Sequence, residues 1–302
     1  MLPNMRGKVA SRIPGNPRIT IVGAGNLAHA LAESLHKAGY VIDQIVSRAR
    51  PASLRRAKRL AAKLGTSAVT ISKAQVHAEV VWFCVPDGAI AAAAKTLKPA
   101  ADWAGRIALH SSGALTGDEL SALRSLGASV ASVHPFMTFV GRSQPLLAGV
   151  PVAIEGDAAA VLAARRIVKS LGSKAYSIRP EDKSAYHAWG TFVSPLLVAL
   201  LVTSEHVAAE TGLTRNISRR KMLPILKQTL ANYEAFGAAP AFSGPLVRGD
   251  ADTVVRHLKT LRGVDRAVYL ALAHAALAYL PTKNKTKIKT ALRSFESARS
   301  RN

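Results

Sequence analysis

The residues most able to do chemistry fall in short runs. Gly23-Ala24-Gly25-Asn26-Leu27-Ala28 follows the apolar run Arg18–Val22 and opens a stretch of helical spacing. That placement suits a dinucleotide cradle. Gly23 permits a tight turn, Gly25 lets the backbone approach a pyrophosphate, and Ala28 is small enough for helix and strand to touch. The helix start at Asn26 and Leu27 offers N–H groups and partial positive charge to phosphates. About 20 residues further on, where an NAD site carries an acid for the ribose hydroxyls, the chain has Ser47-Arg48. No carboxylate repels a 2′-phosphate there. Arg48 can pair with it, Ser47 can donate a hydroxyl, and Arg50 or Arg55 can assist, so NADP is the expected cofactor. Arg56, Lys58 and Arg59 read as a solvated helix face.

Three further runs close apolar strands: Val85-Pro86-Asp87, His110-Ser111-Ser112-Gly113 and His134-Pro135. In open α/β sheets ligands gather at such carboxyl ends. Val85, Pro86, Asp87, His110 and Ser111 are expected beside the cofactor, and Ser112 beside a substrate. Reduction of a carbonyl or imine needs a proton donor near the heteroatom, a role suited to histidine. His134 is a candidate for it. For each histidine the alternative is a core residue satisfied by backbone, and for His110 the two readings balance. Lys183 and His187, four residues apart, share a helix face and form a candidate cation and proton donor. The alternative is an exposed pair. The loop Phe242–Asp250 holds two glycines, a proline and Arg248, a candidate carboxylate ligand; a rigid corner is the competing reading. No His or Cys spacing suggests a metal. Cys84, the single cysteine, sits in Val80–Val85 and reads as a buried, inert thiol.

Strands and helices must hold these runs. Strands are expected at residues 18–22, 41–47, 68–71, 79–85, 106–110, 129–133, 151–155 and 174–178. Helices are expected at 27–38, 55–64, 90–97, 118–126 and 158–171. Such alternation implies right-handed crossovers and a mainly parallel sheet. After Pro180 it ceases, and residues 183–210, 221–236, 252–261 and 266–280 read as helices. The expected fold is therefore α/β: a doubly wound Rossmann sheet followed by an all-α domain. The divisions are a flexible basic extension (1–17), the Rossmann domain (18–179), the helical domain (180–281) and a solvated basic tail (282–302).

The chain has 302 residues, nearly half of them hydrophobic, enough for two cores. Its net charge of +23 gathers at both ends and around residues 48–63. Such charge favours non-specific polyanion contact, but no recognition motif accompanies it and no specific nucleic-acid partner is expected. The N-terminus lacks an export signal. The greasiest run, 192–202, is too short to span a bilayer and contains Pro195. A cytoplasmic protein without membrane attachment is expected.

These runs, with Lys183, Tyr186-His187-Ala188, Ser243-Gly244-Pro245 and Arg248-Gly249-Asp250, resemble the Rossmann-like family that carries the C-terminal domain of unknown function 2520. That family is similar in plan to pyrroline-5-carboxylate reductase, 3-hydroxyisobutyrate dehydrogenase and deazaflavin-dependent NADP oxidoreductases. The resemblance spans about residues 18–280. It implies a nicotinamide-binding domain, a helical dimerisation domain like the C-terminal part of 6-phosphogluconate dehydrogenase, and a cleft between them. Lys183 and His187 resemble by position the catalytic Lys and Asn of 3-hydroxyisobutyrate-type dehydrogenases, with His in place of Asn. Ser194-Pro195 stands where family members carry Ser-Asn. The leading expectation is hydride exchange between NADP(H) and a small carbonyl or imine substrate. A non-catalytic NADP sensor or scaffold is the alternative, and a nucleic-acid-associated protein a third reading from charge alone.

Overall fold

The computed structural model describes residues 15–141 and 147–296. It divides into two compact units, one ending at Phe192 and one beginning at Val193. Most of the expected basic extension, and the arginines beyond residue 296, lie outside the described residues.

The first unit is built on an eight-stranded sheet in the order β3-β2-β1-β4-β5-β6-β7-β8. The strands are β1 (Ile19–Val22), β2 (Ile42–Ser47), β3 (Ser67–Thr70), β4 (Val80–Phe83), β5 (Ile107–His110), β6 (Ser129–Pro135), β7 (Pro151–Gly156) and β8 (Lys174–Ser177). Only the β6–β7 pairing is antiparallel. The helices are α1 (Asn26–Lys37), α2 (Pro51–Leu64), α3 (Ile90–Leu97), α4 (Ser121–Arg124), α5 (Ala158–Ser170) and α6 (Lys183–Val193). Alternate residues of each strand feed opposite faces. Ile19, Ile21 and Trp82 pack with Leu31, Leu35, Leu60 and Ile167 from α1, α2 and α5. Val22, Phe83 and Val130 pack on the other face with Ile90, Leu97 and Leu123 from α3 and α4. With both faces covered, the strands read as near-continuous apolar runs.

The second unit holds α7 (Pro195–Ala209), α8 (Arg215–Phe236), α9 (Ala238–Ala241), α10 (Pro245–Arg248), α11 (Ala251–Thr260), α12 (Gly263–Tyr279) and α13 (Lys285–Glu296). Its core is small: Val254 and Leu258, Ala273 and Leu277, Ile288 and Leu292 from the last three helices, α11, α12 and α13. A bidentate Arg219–Glu205 pair ties α8 to α7.

Four expectations are corrected. The unit boundary falls after Phe192, not near residue 180, because Lys183 and Tyr186 on α6 are buried within the first unit. The single helix expected over 183–210 is interrupted at Ser194, where Pro195 begins a new helix. The sixth strand runs on through His134 and Pro135, because these residues pair with Ala153 and Val152 of β7. The segment from 282 is no solvated tail up to residue 296. Ile288, Ala291 and Leu292 form a buried stripe at helical spacing, flanked by lysines. Gly249, at φ +71°, lets the chain at Lys283 and Asn284 pack onto its bare Cα.

Candidate active site

The opening turn behaves as its glycines demand. Gly23 has φ +122°, and a Cβ there would overlap the Cys84 carbonyl oxygen. Its N–H donates to Val46 O at 2.8 Å, which closes the turn onto β2. Gly25 is the N-cap of α1, and no side chain caps that terminus. The space where a Gly25 Cβ would point is open. An uncapped helix start behind a bare backbone is what a diphosphate requires.

In front of it lies a cleft of about 320 Å³ lined by Gly23, Ala24, Gly25, Ser47, Arg48, Cys84, Val85 and Pro86, among others. Ser47 is buried at the end of β2, its hydroxyl donating to Arg48 O at 3.2 Å, and Arg48 itself is exposed. The other arginine on the cleft wall is Arg56, with Ser53 one helical turn before it, not Arg50 or Arg55. Arg56 is therefore removed from the purely solvated face. The signal lay in the i, i+3 spacing of Ser53 and Arg56 on α2, which turns both toward β2. Ala89, Ala92, Ala93 and Thr96 of α3 line the opposite wall. These residues fit a dinucleotide: bare backbone for the phosphates, guanidinium groups near the ribose end, and no carboxylate on the wall. Asn26 turns its amide to Phe139 O, at 3.2 Å. Asn26, Leu27, Ala28, Asp87, His110 and Ser111 do not line this cleft.

Cys84 lies at its edge. Burial pushes the thiol up to about 12, and a hydrogen bond with Ser111 only partly opposes this. The Ser111 hydroxyl also accepts from the Trp82 indole at 2.8 Å.

The second assembly lies at the carboxyl ends of β5 and β6, closed by the first turns of α6. His110 is fully buried. Its Nε2 sits 2.8 Å from Thr116 O, and its Nδ1 accepts from the Ser112 N–H at 3.1 Å. Both ring nitrogens are thus spent on their own loop, and burial lowers the pKa to about 4. The Ser112 hydroxyl accepts from the Ala114 and Leu115 N–H groups and is similarly occupied.

Lys183 is buried, with 1% of its side chain exposed. Its Nζ donates to Ser132 Oγ at 2.6 Å and to Ser112 O at 3.1 Å, and lies 3.7 Å from Glu155 Oε1. Glu155 also accepts from the Gly117 N–H at 2.9 Å. Desolvation lowers the lysine and raises the carboxyl, each opposed by the attraction of the other. This lysine joins α6 to β6, β7 and the loop after β5. Glu155 and Ser132 were not singled out in the sequence, because nothing local marks a charge or hydroxyl inside an apolar strand as a partner for a residue tens of positions away.

His134 and His187 do come together. Their ring centroids are 6.3 Å apart, edge to face. His134 Nδ1 lies 2.7 Å from the Tyr186 hydroxyl. Burial, reinforced by the Lys183 charge, lowers the His134 pKa to about 4. His187 is exposed. Between the rings passes Gly113, where a Cβ would meet His187 Cδ2 at 2.8 Å and His134 Nε2 at 2.9 Å. Phe136 and Trp189 stack beside them at 4.3 Å.

In the second unit, Asp250 caps α11, accepting from the Thr253 N–H at 3.0 Å and its hydroxyl at 2.7 Å. Arg248 is exposed at the end of α10. Among the described residues no group of three His, Cys, Asp or Glu could hold a metal ion. Residues 180–209 are long and apolar enough, by length and composition, to cross a membrane, a longer run than the one weighed in the sequence. Their first turns are tied to the sheet through Lys183.

Solved structures share this fold. A Bacteroides fragilis protein assigned as an NADP oxidoreductase superposes with TM-score 0.73 at 20% identity, over 86% of this chain and 97% of that one. A Thermotoga maritima protein gives 0.66 at 22%, over 91% and 98%. A reductive aminase from Aspergillus terreus, in complex with NADPH and ethyl-5-oxohexanoate, gives 0.62 at 16%, over 91% and 99%. No curated protein matches the sequence. Residues 18–109 match the family described as NADP oxidoreductase, coenzyme F420-dependent, and residues 150–276 match the domain of unknown function 2520. The chain thus carries, in order, a region that matches the NADP oxidoreductase family and a region that matches the domain of unknown function 2520.

Proposed function

We propose that the chain is an NADP(H)-dependent oxidoreductase acting on a small carbonyl or imine compound. The observation that carries this reading is the cleft wall itself. It combines a bare diphosphate cradle with Arg48 and Arg56, and it has no acid where an NAD site would place one. When bound, the reduced nicotinamide supplies a hydride. The chain's own residues supply the rest. Gly23 and Gly25 admit the diphosphate, Arg48 and Arg56 pair with a 2′-phosphate, and Val85 and Pro86 close the apolar side. His134 and His187, at the same edge of the sheet, are the candidates for handling the proton. The family match and the folds of NADPH-using reductases support the reading.

Calorimetry is the first test. NADPH is expected to bind with an affinity about 10–100-fold above that of NADH, from one charge-assisted pair worth about 1.5–3 kcal/mol. Equal affinity for both, or no heat from either, removes the reading. NADPH oxidation with a panel of keto and imino compounds then separates an enzyme from a sensor. The sensor reading has one observation in its favour: Lys183, the residue the family plan would make catalytic, is fully engaged by Ser132, Ser112 and Glu155.

We also infer a homodimer formed through the helical unit. Leu196, Val198, Val202, Ile225, Leu230 and Phe236 leave much of their apolar surface exposed, more than an isolated chain usually shows. Sedimentation at micromolar concentration tests it; a monomer there removes the inference.

A further inference from the structure

His134 has two ring nitrogens with different surroundings. Nδ1 is 2.7 Å from the Tyr186 hydroxyl, and the Tyr186 ring meets that of Tyr176 edge to face at 6.4 Å. A phenol is a strong donor and a weak acceptor, because its lone pair is delocalised into the ring. An imidazole nitrogen is a strong acceptor. The favoured arrangement has the Tyr186 O–H donating to Nδ1. A neutral imidazole whose Nδ1 is an acceptor carries its proton on Nε2. Nε2 looks past Gly113, which has no side chain to cover it, towards His187.

The charged and titratable groups around this ring are Lys183, Tyr186 and His187 on α6, His110 at the end of β5, and Asp87 after β4. Burial and the lysine outweigh Asp87, and the ring stays neutral down to about pH 4. Tyr186 is held protonated well beyond the physiological range by burial and by Tyr176.

We propose that Tyr186 is a positioning residue that fixes His134 as its Nε2–H tautomer, so that the site takes a carbonyl oxygen and not an iminium. The selection follows from lone pairs. A carbonyl oxygen accepts an N–H hydrogen bond. An iminium nitrogen already carries its proton and has no lone pair to offer. A bound reduced nicotinamide would supply the hydride to the carbonyl carbon as the C=O π bond breaks. The oxygen takes the Nε2 proton. Nδ1 takes the Tyr186 proton, and Tyr186 is reprotonated from water. The product is an alcohol, and His134 emerges in its other neutral tautomer, which relaxes by exchange with water. The inference rests on the hydride-transfer reading above.

The test begins without cofactor. Protein carrying ¹⁵N-labelled histidine is observed by two-bond ¹H–¹⁵N correlation at neutral pH. His134 is expected to show a bare Nδ1 and a protonated Nε2, and Tyr186→Phe is expected to mix the two tautomers while calorimetry shows NADPH affinity unchanged. With NADPH present, Tyr186→Phe is expected to lower kcat for a ketone about 10–100-fold, with KM little changed, and a cyclic iminium is expected to be a poorer substrate than a ketone of the same shape. A proton on Nδ1, or a charged ring at neutral pH, in the wild-type spectrum overturns the tautomer. An iminium reduced faster than its matching ketone overturns the selection. Failure of NADPH to bind while the spectrum shows Nε2–H removes the oxidoreductase reading, and the substrate selection with it, but leaves the tautomer standing.

Discussion

Two regions share the carboxyl edge of one sheet and are built in opposite ways. The cleft at the ends of β1, β2 and β4 is drawn from short runs between Val22 and Thr96 and leaves its polar groups unspent: an uncapped helix start, a bare Gly25 and an exposed Arg48. The assembly at the ends of β5 and β6 is made of residues far apart in sequence and consumes most of its polar groups internally. His110 and Lys183 have their ring and ammonium groups engaged by the protein, and the Ser112 hydroxyl oxygen accepts from two backbone N–H groups. A polar residue at a strand end is thus a ligand candidate only if the fold leaves it free. Of the second group, the Nε2 edge of His134 and the exposed His187 meet that condition best.

The largest expected effect breaks the contrast at Lys183. Lys183→Ala strands the Glu155 carboxylate and is expected to cost about 3–5 kcal/mol of stability, read from urea denaturation. Lys183→Met combined with Glu155→Gln is expected to recover most of it. A variant that loses turnover at unchanged stability would return Lys183 to the reacting centre.

The next effect lies in pH. His110 and His134 take up protons near pH 4 when folded, against an ordinary 6.5. Between these values the unfolded chain binds more protons. Stability is therefore complete above pH 6.5 and falls as the pH drops towards 4, with about 3 kcal/mol from His110 alone at the acid end. Glu155, whose carboxyl is raised, offsets part of this. A melting temperature that stays flat from pH 7 to 4 would sink the assignment of buried neutral rings.

A smaller change sharpens the cleft. Arg48→Ala is expected to weaken NADPH about 10–100-fold and leave NADH unaffected, with Arg56→Ala acting in the same direction. Arg55→Ala, off the cleft wall, should change neither; competitive binding of the two coenzymes decides. The last effect, at Cys84, is read in reactivity and touches neither binding nor stability. Its raised thiol is expected to react with iodoacetamide at least ~100-fold more slowly than a free thiol at pH 8.

What was legible in the sequence was local. The alternation of strands and helices, the glycine turn after Val22, the absence of an acid at Ser47-Arg48 and the place of Cys84 at the end of an apolar strand follow from periodicity, steric demand and charge within short windows. The helix at 285–296 was hidden because its apolar stripe is thin and its lysines dominate the composition. Arg56 was hidden because the side of α2 that faces β2 is set by packing of Ala57, Leu60 and Leu64 against the sheet.

By itself the sequence determined the strands, the glycine turn after Val22 and the basic residues from Arg48 onward, since each depends on residues within a few positions of one another. Tertiary structure alone decided which polar groups remained free. Lys183 meets Ser132 and Glu155, and His134 meets Tyr186, only after β6, β7 and α6 are brought together. Partners that distant leave no periodic trace, and whether a buried polar atom binds a ligand or its own protein depends on which acceptor packing places within about 3 Å of it.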